Sequence, residues 1–311
     1  MDRELARRLR WFDDGAPRLR LVLDKLQLSD RLPADRDYYA CPCCLVAFPR
    51  EAVAARVLTD EHVPADGVGG RRLLLTCDTC NNSSGTSFDS HAVRRSHVDD
   101  FVLGVANGRT HKVTSYIDGI PLRGTIERTK GGGLQIFGIP KQNDKKVMEA
   151  YFKKLHSYAQ DDHPKPDHSF VVHSRYDERR ARISWIRSAY LAAFAGLGWK
   201  YIFRPVMKPV RDQLKQPNDE ILPTYMARDI NALSSGRRIM IVSHPPELRS
   251  VAITMGQYTV FLPAPFDSTT FEVLNKEICR RRDGGDALNV NIRGKTVPWP
   301  KFPTYFLDPP Y

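Results

Sequence analysis

Five of the six cysteines fall within residues 41–80, as Cys41-Pro-Cys43-Cys44 and Cys77-Asp-Thr-Cys80. Two residues between paired cysteines let both thiolates of a tight turn face one ion, and two such turns complete a tetrahedron. The spacing therefore predicts a structural Zn2+ held by Cys41, Cys44, Cys77 and Cys80. Cys43 lies inside the first knuckle and is expected to point away, although it could substitute for a neighbour. Disulfides or free thiols are the alternatives. Disulfides need an oxidising compartment, and the N-terminus, with Asp2 and Glu4 and no apolar stretch behind them, does not read as a secretion signal. A cytoplasmic location is expected. Cys279 stands alone and is expected to be a small buried side chain.

The two knuckles enclose Thr59-Asp60-Glu61-His62-Val63-Pro64, a glycine-containing turn from Asp66 to Gly70, and Arg71-Arg72-Leu73-Leu74-Leu75-Thr76. Asn81-Asn82-Ser83-Ser84 follows Cys80. The pattern reads as strand, loop, strand and helix, with the second knuckle at the helix start.

This string resembles the HNH endonucleases, the ββα-metal nucleases, over roughly residues 41–91. In that family an acidic residue precedes a histidine on the first strand and a proline follows closely. Glu61-His62 and Pro64 fill those places. A glycine-containing loop and second strand match Gly67 to Thr76, and a terminal knuckle followed by Asn matches Cys77, Cys80 and Asn81. The resemblance implies that His62 is the general base, and that Glu61 and Asn81 hold one catalytic Mg2+ or Mn2+, separate from the zinc. The chemistry is consistent: a near-neutral imidazole suits proton abstraction, and oxygen ligands suit a hard cation. Departures are Glu61 in place of the commoner Asp, Arg72 nearest the family's middle Asn, and Ser84 at a frequent Lys position. Arg72 becomes a candidate phosphate ligand, and Asp89 a candidate salt bridge or cap. The implied activity is endonucleolytic hydrolysis of phosphodiesters, in DNA rather than RNA; the joining of such a module to an unfamiliar second domain adds the expectation of a role in restriction or phage defence. The alternative is a catalytically inactive zinc ribbon that binds nucleic acid or protein.

These residues need a scaffold. A chain of 311 residues has room for two domains. Residues 1–38 read as a helical arm that could pack on its own domain, meet a partner subunit in a homo-oligomer, or touch phosphates. Residues 39–107 form the zinc-binding module and 108–311 a larger basic domain of unrecognised fold, so the class is α+β. In that domain the period predicts a hairpin over 113–128, strands at 134–139, 169–173, 238–242, 250–255 and 258–262, and helices at 144–158, 179–201 and 268–281. The tail from Pro298 to Tyr311 is expected along the surface. His163 and His168 lie in a proline-rich loop and read as solvated rather than metal-binding.

The net charge is +11. The first 110 residues hold 16 basic and 16 acidic groups, so the whole surplus lies beyond them. A basic excess is the footprint of a polyanion. Arg71, Arg237-Arg238 and Arg280-Arg281-Arg282 are the densest candidates for phosphate contact. No apolar run approaches the length needed to cross a bilayer, which excludes a membrane-spanning class.

Overall fold

The computed structural model describes residues 2–105, 108–160, 167–222, 226–228, 236–282 and 291–309. The chain divides into two compact units, one formed by Met1–Val93 with Asp177–Tyr311 and the other by Arg94–Tyr176. This differs from the expected boundaries at 38 and 107. The arm and the C-terminal segment share one apolar core with the cysteine module, and the second unit is an insertion with cores of its own.

Helix α1 (Arg3–Lys25) starts at Asp2, whose carboxylate accepts the Glu4 N–H. It buries Trp11, Phe12, Ala16, Leu19 and Val22, and also Arg8. The arm thus packs on its own domain. Gly15 permits the approach, since a Cβ there would lie 2.9 Å from the rings of Trp199 and Tyr39. Next come a small antiparallel pair, β1 (Tyr38–Ala40) and β2 (Ala47–Pro49), a short helix α2 (Glu51–Ala54), and the hairpin of β3 (Leu58–Val63) and β4 (Arg71–Cys77). Helix α3 (Asp78–Ser84) follows at once, continues through a π-helical turn at Gly85–Asp89, and leads into α4 (Ser90–Val102).

The inserted unit is a four-stranded antiparallel sheet and a helix. Strands β5 (His111–Ile117), β6 (Ile120–Arg128), β7 (Leu134–Gly138) and β8 (His168–His173) lie in the order β7-β6-β5-β8, and α5 (Lys145–Gln160) precedes β8. The turn between β5 and β6, at Asp118-Gly119, has both residues at positive φ, at 47° and 78°. One sheet face is buried through Val113, Ile117, Leu122 and Ile126, and Tyr151 of α5 packs among Ile117 and Leu122.

Helix α6 (Glu178–Leu197) returns to the first unit and is its axis. It packs on β3, β4 and the π-helical turn as well as on the strands Ser250–Met255 and Tyr258–Pro263 of the large sheet. The sequence shows one apolar stripe, but every residue from Ile183 to Leu197 is buried. A helix walled in on all sides has no solvent face to mark with charge. The predicted helix over 179–201 breaks at Gly198 (φ 95°), where α7 (Trp199–Ile202) begins. After α8 (Lys208–Lys215), the strands β9 (Met226–Arg228), β10 (Arg238–His244), β11 (Ser250–Met255), β12 (Tyr258–Pro263) and β13 (Arg293–Val297) form an antiparallel sheet in the order β13-β10-β11-β12-β9. Helix α9 (Phe271–Arg282) packs against β12.

Two expectations are corrected here. The tail is not a surface strap. Tyr305 and Asp308 are fully buried, and the N–H groups of Thr304, Phe306 and Leu307 donate to the last carbonyls of α6 at Ala195, Gly196 and Leu197. Those carbonyls would otherwise lack partners. Cys279, expected inside, is exposed on α9. No helix among the described residues is long and apolar enough to cross a membrane.

Candidate metal centre and active site

The first knuckle is a reversal closed by Cys41 N–H to Val46 O at 2.9 Å and Leu45 N–H to Cys41 O at 2.8 Å, with Leu45 at φ 62°. The second lies where β4 gives way to α3, so Cys77 ends the strand and Cys80 sits in the first helical turn. The four sulfurs of Cys41, Cys44, Cys77 and Cys80 all lie within 4.8 Å of one another. Cys44 Sγ and Cys77 Sγ are 3.8 Å apart. A tetrahedral Zn2+ with bonds of about 2.3 Å has ligand sulfurs about 3.8 Å apart, so the donor set fits such an ion. The cluster could hold a metal such as zinc. Cys77 N–H donates to Cys41 Sγ at 3.4 Å, the kind of backbone bond that steadies a ligating thiolate. Cys43 is buried but outside this quartet.

The hairpin between the knuckles carries Glu61 and His62. Its ladder runs Thr59 to Thr76, Asp60 to Leu75 and Glu61 to Leu74, then shifts register so that His62 pairs with Arg72 and Val63 with Arg71. Gly70 is required at the turn, because a Cβ there would fall 1.6 Å from Pro64 O. Asn81 of α3 is tied to the same strand, its amide donating to Asp60 O and Thr59 Oγ1, both at 3.1 Å. His62 is about one-third exposed, with Nε2 3.7 Å from the exposed Asp66 carboxylate.

Glu61 behaves differently from its neighbour. It is 3% exposed. Its carboxylate accepts Thr76 Oγ1 at 2.9 Å and both terminal nitrogens of Arg187, at 3.1 and 2.5 Å. Arg187, on α6, is 1% exposed. It also lies 3.8 Å from Asp89, which accepts Ser184 Oγ at 2.5 Å. Burial raises the Asp89 carboxyl above its ordinary range, against the pull of Arg187. Asp89 is thus the ion-pair residue the sequence suggested.

No match is found among protein-family models, curated proteins or solved structures. The site is therefore read from its own geometry.

That geometry brings the four cysteines together and holds Asn81 against the strand of Glu61 and His62. It does not leave Glu61 open: the carboxylate is buried, takes three donors and is neutralised by Arg187, so it does not fit an accessible Mg2+ or Mn2+ site as it stands. Arg72 is engaged too, by Glu4 and, at 3.6 Å, by Asp60. Arg71 is exposed and near enough to Arg237 for its charge, after burial, to lower the Arg237 pKa. Arg280 pairs with Glu277 at 2.7 Å, and Arg281 meets Glu277 at 2.5 Å and Glu247 at 3.5 Å. Those ties, led by Arg280, pull the Glu277 carboxyl down to about 2. The Arg282 side chain and His163 lie outside the described residues. His168 is exposed and bonds Ser115 at 2.9 Å.

Sequence reasoning missed Arg187 and Asp60. Asp60 is contacted by Arg7, Arg8 and Arg72. The signal for Arg187 was present: a lone cation inside Ile183-Ser-Trp-Ile-Arg-Ser-Ala-Tyr-Leu needs a buried acid.

Proposed function

We propose that this chain is a nuclease whose reaction centre is the β3–β4–α3 segment, with His62 taking the proton from the attacking water. The observation that carries the reading is a partly exposed His62 on the strand to which the Asn81 amide is bonded, beside four gathered cysteines that could hold a metal. A histidine there can reach solvent, and its strand is held from both sides. Zinc at the cysteines would serve as a staple, taking no part in hydrolysis. Support for a divalent ion at Glu61 is weaker than the resemblance suggests, since Arg187 already neutralises that carboxylate.

That same contact favours a second reading, a zinc-stapled binding module in which Arg187 fills the role of the cation. The two separate on one assay. Purified protein is incubated with supercoiled plasmid and with single-stranded circular DNA, with Mg2+ or Mn2+ and without added divalent ion. The nuclease reading expects nicking or linearisation that falls about 10²–10⁴-fold in His62→Ala, the usual scale for a general base, while zinc content stays the same. Nicking by His62→Ala at the wild-type rate removes His62 from the mechanism. A wild-type protein inert under every condition leaves the binding module.

A further inference from the structure

The inserted unit has one buried sheet face and one exposed one. Residues directly opposite in a ladder share a face. His173, Lys112, Thr125 and Phe137 therefore form a row across β8, β5, β6 and β7. The next row holds Val171, Thr114 and Arg123, and the next Ser169, Tyr116 and Pro121. Lys112, Arg123, His173 and Phe137 are exposed on this face, Phe137 by 46%. At one end it opens into a cleft of about 730 Å3, lined by Arg94, His111, Lys112, His173 and Arg175 and by no carboxylate. A second cleft, of about 760 Å3, shares Lys112 and His173 and runs past Tyr116 and Arg123. Its single acid, Asp144, is already taken by the first N–H groups of α5.

The side chains of Lys112, Arg123 and Arg175 form no ion pair among the described residues. The contrast with Arg280 and Arg281, which share a glutamate, is what separates a ligand surface from a solvated helix. Like charges gathered without counter-charges repel, and a polyanion relieves that. The exposed Phe137 and the half-buried Tyr116 beside them give bases a surface to stack on, which a duplex cannot use without unpairing.

We propose that the unit Arg94–Tyr176 binds a single strand of nucleic acid, with phosphates in the Arg94–Lys112–Arg175 cleft and bases along the sheet face of Tyr116 and Phe137. The choice of nucleic acid over other polyanions rests on the nuclease reading; the site itself does not. The test uses the full-length chain and fluorescence anisotropy with a labelled oligothymidylate of about 20 nucleotides, without added divalent ion. The strand should bind more tightly than a duplex of equal length. The double variant Lys112→Ala/Arg175→Ala should lose at least about tenfold in affinity, and its slope of log affinity against log salt should fall by roughly 1.4, for two phosphate contacts at about 0.7 each. Phe137→Ala should weaken binding about fivefold or more and leave the slope unchanged. All three side chains are exposed, so circular dichroism and zinc content should match wild type. The proposal is overturned if the double variant binds like wild type, if duplex outcompetes strand, or if millimolar inorganic phosphate displaces the oligonucleotide completely. A chain that binds through the cleft but cuts nothing loses only the nuclease. A chain that cuts, with cleft variants binding unchanged, loses only this site.

Discussion

Arg187 sits among residues that are otherwise apolar or small, and its guanidinium is matched by Glu61, with Asp89 at longer range. Burying such ions costs several kcal/mol each, and the pair recovers this only while both members are present. Arg187→Met should therefore leave the Glu61 charge uncompensated and cost about 3–5 kcal/mol, read as a lower urea midpoint at unchanged slope. Adding Glu61→Leu to Arg187→Met should recover most of that loss. If the single variant unfolds at the wild-type midpoint, the ion pair does not hold the hairpin to α6. The cysteine quartet was legible in the sequence from its two paired spacings, and the structure settles the place of Cys43, which lies outside the four. The role of Glu61 was not. Nothing in Glu61-His62 says that a residue 126 positions later will claim the carboxylate, and local pattern carries no information about such a partner.

Strands and helices were largely legible where one face is wet. The hairpin at 111–128, the strands at 238–263 and α5 fall close to their predicted places because alternation or helical period survives. The buried α6 was legible as a helix, but its burial on every side and its break at Gly198 were not, and legibility failed where a segment without period is held by capping, as in the tail. There Asp308 accepts the N–H groups of Trp199 and Lys200 at 2.8 and 2.9 Å, and Gly198 is essential because a Cβ would meet Asp308 Oδ2 at 2.1 Å. Burial raises the Asp308 carboxyl to about 6. A carboxyl with a raised folded pKa binds its proton more tightly in the native state, so its contribution is full below the ordinary value near 3.9, is lost as pH rises through about 6, and is worth at most about 3 kcal/mol. Wild type should thus lose stability relative to Asp308→Asn between pH 4 and 7, in chemical denaturation at each pH; a constant difference across that window would refute the assignment. At the knuckles a bound metal would be the staple. Cys77→Ser should abolish binding of one zinc per chain and expose the hairpin to proteolysis, since metal binding at such a site is folding energy. Soluble, folded wild type with no zinc by elemental analysis would remove the staple.

At the scale of the molecule, the cysteine module and the C-terminal sheet are one unit, and the segment between them is an insertion. Sequence could not show this, because charge and period change near residue 110 while the compact boundary falls at 93 and 177, inside a helix and just before another. The two ends of the insertion nevertheless meet within the first unit: the Asp177 N–H donates to His91 Nδ1 at 2.7 Å. Ends that close can be rejoined by a short flexible connection at little entropic cost, because loop closure grows only slowly with length. Replacing residues 94–176 by about six Gly and Ser residues should give a folded protein that keeps its zinc. Its buried core should be intact, since Tyr39, Phe194, Trp199 and Tyr305 all lie outside the excised segment. Cooperative unfolding with one zinc per chain is the expected result. If His62 is the base, this shortened chain should retain cleavage of a small substrate while its affinity for single strands falls with the lost cleft. A shortened chain that aggregates, loses zinc or unfolds without cooperativity would show that the two units fold as one, and that the division at 93 and 177 is not an energetic one.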